Sequence, residues 1–348
     1  MNETQIISGT AFVSPDLVAE PVDIEIKNAI ITAIEPNPRA PQVWICPAFF
    51  NAHTHLGDTI AMDCATTGDL EALVTPPSGL KHRLLAAASR EDLVSGMRAS
   101  IRDMIAGGTF GCADFREGGR EGVRALQEAA TGLAFQPVIF GRDGGESKAA
   151  GLGISSARDI PEVERWVKAA RTLGKKIAFH AGERDADDID AALAFDPDLL
   201  IHMTHATKKQ LRECSEKDIP LSVCPRSNWI LGVTSSARHP PIREMLDLGC
   251  TVFLGTDNAM FVPPDMFSEM AFVFSVYHLS PREILRAAVE GSSLTGTPSF
   301  LDEGCRANLF TIEPAQSGIR FSRDPLASLV KRACTGKIGT TVFNLKIQ

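Results

Sequence analysis

Two histidines stand at a spacing that suits a metal ion. The segment Asn51-Ala52-His53-Thr54-His55-Leu56 follows an apolar run at residues 43–50. Because residues i and i+2 of a β-strand project from the same face, His53 and His55 direct two imidazole rings toward one point. The pair alone leaves two alternatives open, since histidines at this spacing also occur on ordinary half-buried strands. Further ligands elsewhere in the chain would decide between them.

From residue 43 onward, short apolar runs alternate with segments whose apolar residues recur at helical spacing. This alternation is typical of β-α units around a parallel sheet. The predicted helices lie at 80–106 (as one or two helices), 122–132, 161–173, 187–194, 208–216 and 241–248. The predicted strands lie at 43–50, 109–115, 135–140, 151–155, 176–180, 199–202, 220–224 and 251–254.

Eight strands with intervening helices over roughly 200–250 residues predict an α/β fold of the (β/α)8 TIM-barrel type. A doubly wound open sheet is the alternative, but no G-x-G-x-x-G motif follows the early strands. Alternating apolar residues near both ends of the chain, at 5–13, 22–26, 29–34, 307–312 and 340–345, predict a small antiparallel β domain. The predicted domains are a β-sandwich from 1–44 plus 303–348 and a catalytic barrel at 45–302.

Polar residues end several of the predicted barrel strands, which is where barrel enzymes carry their chemistry. His53 and His55 follow the first strand, His180 ends the fifth, His202 ends the sixth and Asp257 follows the eighth. Each histidine alone fits a core position, but a chance gathering of all of them is improbable. Three imidazoles and one carboxylate suit Zn²⁺ or Fe²⁺ and leave a position for water, whose pKa such an ion lowers to about 7.

Glu183 follows His180 by three residues, which on a straight strand would place the two on opposite faces. Gly182 has the backbone freedom to turn Glu183 toward the metal ligands. The alternative is a solvated acid at the start of the next helix, because Asp185, Asp187 and Asp188 follow closely.

Charge and composition narrow the class of partner. With 43 acidic and 35 basic residues the formal net charge is −8, which argues against binding to nucleic acid. The H-x-E and P-C-x-x-C motifs of the deaminases that act on nucleic acids are absent. The eight cysteines form no C-x-x-C pair, and no apolar run reaches the roughly 18 residues that span a bilayer. A cytoplasmic, soluble enzyme for a small molecule is expected, with a homo-oligomer as an open possibility.

Taken together, these residues resemble the amidohydrolase superfamily, specifically its mononuclear aminohydrolase branch. That branch contains cytosine and guanine deaminases, S-adenosylhomocysteine and methylthioadenosine deaminases, and triazine chlorohydrolases. The resemblance extends over nearly the whole chain and rests on motifs at 47–55, 180–183, 224–228, 255–257 and 307–309. It implies one metal ion held by His53, His55, His180 and Asp257, with Glu183 and His202 as catalytic groups beside it.

Binuclear members of the superfamily use a lysine on the fourth strand, and residues 151–156 contain none, so one metal ion is expected. His205 is the alternative to His202, because residues 201–205 at the end of the sixth strand contain both histidines. Many deaminases of the branch are longer than this chain, which leaves the substrate pocket open. The candidate substrate-binding residues lie after the strands or near the histidines, and they are Arg116, Glu117, Arg142, Asn228 and His205.

The predicted activity is hydrolytic deamination of a small aminated heterocycle, such as a purine, pyrimidine, pterin or nucleoside, with release of ammonia. Glu183 would protonate the ring nitrogen, His202 would orient the attacking water, and Asp257 would carry a proton to the leaving amine. The first alternative is hydrolysis of a cyclic amide, carbamate or carbon–halogen bond at the same metal site. The second is a barrel without catalytic activity that serves in binding or assembly.

Overall fold

The computed structural model describes residues 4–64, 67–68, 70–75, 78–158 and 160–343. Within these ranges, fifteen strands form two separate sheets. The strands are β1 (Thr4–Val13), β2 (Val18–Lys27), β3 (Ile30–Pro36), β4 (Trp44–Pro47), β5 (Phe49–His55), β6 (Thr109–Arg116), β7 (Gln136–Gly141), β8 (Gly151–Ile154), β9 (Lys176–Ala181), β10 (Leu199–His202), β11 (Leu221–Val223), β12 (Val252–Leu254), β13 (Asp257–Asn258), β14 (Asn308–Ile312) and β15 (Ile338–Phe343).

Twelve α-helices accompany these strands in the described part of the chain. They are α1 (Leu70–Val74), α2 (Leu80–Ala87), α3 (Arg90–Ala106), α4 (Gly119–Ala130), α5 (Val163–Thr172), α6 (Ile189–Leu193), α7 (Lys208–Glu216), α8 (Pro225–Ile230), α9 (Ile242–Asp247), α10 (Met266–Tyr277), α11 (Pro281–Glu290) and α12 (Pro325–Arg332). Short 3-10 helices lie at Leu56–Ala61, Gly145–Lys148, Gly291–Thr295, Pro314–Gln316, Gly318–Phe321 and Thr335–Lys337.

The larger sheet is the predicted parallel barrel. Its strands follow one another from β5 to β12, each paired in parallel with the next. After β12 the chain continues through Gly255 and Thr256 into β13, which pairs in parallel with β5. The two pieces of the eighth strand therefore bridge β11 and β5, and the sheet closes on itself. The predicted (β/α)8 fold is confirmed.

Aromatic side chains fill the barrel interior. Phe50, Phe110, Phe115, Phe140 and Phe253 are all buried and pack in one cluster with small and aliphatic residues from the other strands. The interior of such a barrel is a packed core and not a channel, so only its C-terminal end is left for a ligand. All the candidate ligands from the strands lie at that end.

The smaller sheet combines both ends of the chain, as predicted, in the order β15-β14-β4-β1-β2-β3. It curls over its own core, because an isolated bridge joins Ile30 of β3 to Arg306 just before β14. The buried residues between its layers include Ile24, Ile31 and Leu309. Residues 344 and 345 of the predicted last strand lie outside the described residues.

The predicted first barrel strand is wrong in extent, because residues 43–50 are divided between the two sheets. Strand β4 pairs with β1 and β14 of the small sheet, and β5 begins the barrel. The chain passes from one sheet to the other between Ala48 and Phe49. Ala48 N donates a hydrogen bond to Asn308 O of the small sheet, whereas Phe49 N donates to Gly108 O, just before β6 of the barrel. Strand β4 lies across the predicted domain limit at residues 44 and 45, and the limits themselves stay a prediction.

The helix expected between 80 and 106 consists of two helices, α2 and α3. Ser89 separates them as the N-cap of α3, with its hydroxyl oxygen accepting from Asp92 N at 3.0 Å. Helices α1, α8, α10, α11 and α12 lie outside the predicted set. Within the described residues, no helix has both the length and the apolar composition that a bilayer-crossing helix requires.

Candidate functional site

Four histidine rings meet at the C-terminal end of the barrel. The ring centroid of His53 lies 5.0 Å from that of His55, 4.9 Å from that of His180 and 5.7 Å from that of His202. The ligand atoms of His53, His55 and His180 lie within 4.8 Å of one another, and so do those of His53, His202 and Asp257. The structure therefore brings together all four predicted metal ligands, with His202 beside them.

Backbone carbonyl groups fix the orientation of two of these rings. The Nδ1 atom of His55 lies 3.1 Å from Phe115 O, and that of His180 lies 2.9 Å from Ile154 O. A carbonyl oxygen only accepts, so each Nδ1 carries the proton and donates it. The Nε2 lone pairs are then available to a cation, which is the arrangement that outer hydrogen bonds give to metal-binding histidines.

Burial keeps the rings neutral, as metal binding requires. It lowers the pKa of His53 to about 4 and the pKa of His55 to about 3. Burial and the neighbouring histidines hold the pKa of His180 well below its usual range. His53 Nδ1 is a buried nitrogen with no hydrogen-bond partner among the described residues. Three neutral nitrogen donors and one carboxylate therefore fit a single divalent ion.

Asp257 is anchored by its own hydrogen bonds. Its Oδ2 atom accepts from Ser227 Oγ at 2.7 Å and from Asn258 Nδ2 at 2.8 Å, while Oδ1 lies 3.1 Å from His53 Nε2. Although burial works against the charged form, the hydrogen bond to His53 keeps the pKa of Asp257 well below its usual range. The Oδ2 atom therefore accepts hydrogen bonds from the protein, and the Oδ1 atom faces the histidines.

Strained backbone positions hold two of the site residues. His202 has φ +72° and Asp257 has φ +63°, both in the left-handed region that non-glycine residues rarely adopt. Each such residue costs on the order of 1–3 kcal/mol and persists only where the surrounding structure requires it. His202 is the last residue of β10 and Asp257 is the first residue of β13, and both side chains lie beside the ring of histidines.

Glu183 lies at the same cavity, as the turn at Gly182 had suggested. Gly182 has φ +66°, and a Cβ atom there would come within 2.7 Å of Ile189. The carboxylate Oε1 of Glu183 lies 3.7 Å from His202 Nε2. Burial raises the pKa of Glu183, which favours the protonated form that a general acid needs.

Asn228 supports His202 and does not line the cavity. Its Oδ1 atom lies 3.2 Å from His202 Nδ1, and its Nδ2 atom donates to Thr204 Oγ1 at 2.8 Å. With Nδ1 donating, the Nε2 lone pair of His202 points toward Glu183. His205 lies apart from this group. Its ring is 5.5 Å from that of His239, and it does not line the cavity.

A cluster of buried charges adjoins the histidines. Glu117 Oε1 lies 3.0 Å from His55 Nδ1 and 3.0 Å from Lys81 Nζ, and Glu117 Oε2 accepts from Arg116 Nη2 at 2.6 Å. Although burial opposes ionisation, Lys81 holds the pKa of Glu117 well below its usual range. Arg142 Nη2 lies 3.7 Å from Glu117 Oε1. Glu117 and Arg142 line the cavity at the histidines, whereas Arg116 does not.

Sequence patterns did not identify Lys81, Asp58 or Asn258 as members of the site. Lys81 is buried, with Nζ 3.2 Å from Asp58 Oδ2 and 3.3 Å from Asn258 Oδ1. Burial raises the pKa of Asp58 to about 7. A signal for Lys81 exists: it shares the helical face of Leu84 and Leu85, where a solvated lysine is not expected.

The chain is similar to two families of known proteins. Residues 128–311 match the model of the adenosine deaminase family, and residues 44–148 match the model of the amidohydrolase family. A protein from Methanothermobacter thermautotrophicus whose name is given only as an aminohydrolase is 33% identical, covering 95% of each chain.

A 5-methylthioadenosine/S-adenosylhomocysteine deaminase from Halobacterium salinarum is 24% identical, over 74% of this chain and 70% of the relative. Among solved structures, the atrazine chlorohydrolase TrzN from Arthrobacter aurescens TC1, complexed with zinc, superposes with a TM-score of 0.81 at 19% identity. That superposition covers 97% of this chain and 94% of the other. At this identity the structural likeness concerns the fold.

Proposed function

Because this chain belongs to the aminohydrolases of the amidohydrolase superfamily, in their mononuclear branch, we propose that it deaminates a small aminated heterocycle by hydrolysis. The observation that carries the proposal is the convergence of His53, His55, His180 and Asp257 beside Glu183 at one end of the barrel. The substrate is a purine, pyrimidine, pterin or nucleoside-like compound, and the products are its oxo form and ammonia.

His53, His55, His180 and Asp257 hold the metal ion in this proposal. Zn²⁺ is the first choice and Fe²⁺ the alternative, because both accept imidazole and carboxylate donors. The ion supplies Lewis acidity that makes water a nucleophile at neutral pH. His202 completes a second set of close donors with His53 and Asp257, so it lies where it can orient the attacking water.

Proton transfers fall to the acids around the histidines. Water adds to the ring carbon that bears the amine, a carbon–oxygen bond forms, and the carbon–nitrogen bond breaks as ammonia leaves. Glu183 donates a proton to the adjacent ring nitrogen, which would otherwise gain negative charge. Asp257 takes one proton from water and delivers it to the departing amine, and the remaining hydroxyl proton returns to Glu183 as the carbonyl group of the product forms. Both roles require the acids to face one cavity, and both residues line it.

Glu117 and Arg142 contact the substrate in this proposal, since both line the cavity that contains the metal ligands. Arg116 contributes by holding Glu117, and Asn228 contributes by holding His202. His205 has no such place among the described contacts. A small molecule is the partner, without nucleic acid or membrane; the enzyme is cytoplasmic, and a homo-oligomer is compatible with the fold. Residues 1–44 plus 303–348 and 45–302 are the proposed domains.

Substitution of Glu183 by glutamine tests the mechanism. We expect E183Q to keep its full complement of metal and to lose ammonia release by about 100-fold or more, since general acid catalysis contributes roughly 10²–10⁴-fold. Asp185→Asn is the matched control, because Asp185 lies two residues away and pairs with Arg158 at the surface. Near-normal turnover in E183Q would assign the proton transfer to another residue.

The alternative is hydrolysis of a cyclic amide, carbamate or carbon–halogen bond at the same site. A panel of aminated heterocycles assayed for ammonia, beside cyclic amides and chlorinated heterocycles assayed for ring opening and chloride, separates the two activities. Ammonia release supports deamination. Ring opening or chloride release without ammonia would replace it, and a purified protein without stoichiometric metal would favour a barrel without catalytic activity.

A further inference from the structure

A second, larger cavity adjoins the one that contains the histidines. Its volume is about 920 Å³, and it lies where the ends of β6, β7 and β8 face helices α2 to α5. Apolar side chains dominate its wall, among them Leu85, Leu93, Met97, Leu152, Ile154 and Trp166. None of the proposed metal ligands lines it. Neither the metal chemistry nor the proton transfers therefore account for this space.

The two cavities share one wall. His82, Glu117, Arg142 and Ser155 line both of them. The cavity at the histidines has a volume of only about 80 Å³, whereas sites for small molecules are typically about 300–1,000 Å³. The large cavity lies within this range. A ligand whose reacting ring enters the small cavity has room for the rest of its bulk only on the other side of the shared wall.

Among the polar residues of the shared wall, Arg142 carries a buried donor that is left for a ligand. The residue is 9% exposed, and its Nε atom is buried with no hydrogen-bond partner among the described residues. Its ion-pair contact with Glu117 is long, at 3.7 Å, while Arg116 contacts the same carboxylate at 2.6 Å. A buried donor without an acceptor is costly, so a ligand that brings an acceptor to this point gains from it.

From these observations we infer that the substrate is an aminated heterocycle with a bulky apolar substituent, such as an aryl or branched alkyl group. The heterocycle occupies the cavity at the histidines, and the substituent occupies the large apolar cavity. Arg142 donates a hydrogen bond to an acceptor atom near the junction of the two parts. This inference rests on the proposed deamination for the identity of the ring, but the second cavity stands on its own geometry.

Matched pairs of substrates test the inference. Adenine and cytosine would each be compared with their N-benzyl derivatives, 9-benzyladenine and 1-benzylcytosine, by ammonia release from the metal-loaded enzyme. In an apolar pocket even one methylene changes kcat/KM by roughly 10–200-fold, so we expect a preference of at least about 10-fold for a benzyl derivative. A preference for the unsubstituted ring would overturn the inference.

Filling the large cavity gives a second test. Leu85 and Ala86 lie on α2, line only the large cavity and are outside the buried core clusters. We expect L85W and A86W to reduce kcat/KM for the benzyl substrate at least about 10-fold and to change the unsubstituted ring less than about 2-fold. Leu173→Trp is the control, since Leu173 is 61% exposed and lines neither cavity. Equal effects on both substrates would refute the assignment.

Binding measurements keep this result separate from the deamination itself. If no compound of the panel releases ammonia, the proposed deamination fails. Titration calorimetry of 9-benzyladenine and adenine then tests the cavity alone: tighter binding of the benzyl compound, lost in L85W and A86W but kept in L173W, supports it. Equal binding of the two compounds, or no loss in the tryptophan variants, refutes it.

Discussion

Removal of one hydroxyl group beside Asp257 tests how the metal centre is held. Ser227 Oγ donates to Asp257 Oδ2 at 2.7 Å, and both residues are buried. Ser227→Ala deletes this donor and leaves Asn258 Nδ2 as the remaining donor to that oxygen among the described residues. A hydrogen bond to a charged group contributes about 1.5–3 kcal/mol, so we expect S227A to lower the free energy of unfolding of the metal-free protein by that amount.

The same substitution weakens the metal site, because Asp257 loses one of the contacts that orient it. Loss of such an outer hydrogen bond typically reduces metal affinity or activity about 10–100-fold. Competition with a chromophoric zinc chelator measures the affinity, and urea unfolding of the stripped protein measures the stability. Both measurements are required, because a general loss of structure would lower the stability without a specific effect on the metal affinity.

Ser222 provides a matched control on strand β11, five residues earlier in the chain. Its side chain is equally buried, but its hydroxyl has no hydrogen-bond partner among the described residues. Ser222→Ala removes the same atom from a similar environment and should leave metal affinity unchanged and stability equal or slightly higher. If S227A and S222A have the same metal affinity and stability, the anchoring role assigned to Ser227 is wrong.

Three further substitutions probe the metal ligands, the buried charges and a surface helix. His180→Ala should reduce bound metal from one equivalent to a small fraction, as measured by mass spectrometry of the dialysed protein; full occupancy would remove His180 from the ligand set. Lys81→Met should lower the free energy of unfolding by about 3–5 kcal/mol, because it leaves Asp58 buried without its ion-pair partner and takes one of three cations from Glu117; a loss below about 1 kcal/mol in urea unfolding would contradict this. Hydrogen bonds from Arg243 lower the pKa of Glu283 from 4.5 to about 2, so its contribution is present above about pH 4.5 and is lost as the pH falls toward 2. Glu283→Gln should therefore lower the free energy of unfolding by about 1–2 kcal/mol at pH 7 and by almost nothing at pH 2. Thermal unfolding of both proteins across this pH range tests this, and an equal difference at pH 7 and pH 2 would contradict it.

The positions of the histidines could be predicted because they depend on local rules. The two-residue period places His53 and His55 on one face, and the parallel topology places His180 and Asp257 at the same end of the barrel. These rules need only the order of the strands. The break at Ala48 could not be predicted, because it depends on which distant strand accepts each backbone hydrogen bond.

The pocket beyond the histidines could not be predicted for the same physical reason. Lys81 reaches the site only because α2 packs over the end of the barrel and brings Nζ to Asn258, which is 177 residues away in the chain. The roles of Ser227 and Asn228 likewise depend on hydrogen bonds across 30 and 26 residues. Residue type indicates that such side chains can form hydrogen bonds, but not with which partners.

The closure of the barrel by its split eighth strand determines when the metal centre can form during synthesis. Asp257 meets His53 across 204 residues, and Asn51 and Thr256 bond to each other across 205. A nascent chain that ends before Gly255 carries all the proposed histidine ligands but lacks Asp257 and the strand that closes the sheet beside them. Because long-range contacts form late and domains fold from the N-terminus as they are made, the metal centre is among the last parts to assemble. Strand β14, which follows Asp257 in the chain, then pairs with β4, the strand that directly precedes β5. This pairing fixes the N-terminal end of β5. Complete binding of metal at the proposed site would therefore show that the chain has been made and folded through the eighth strand.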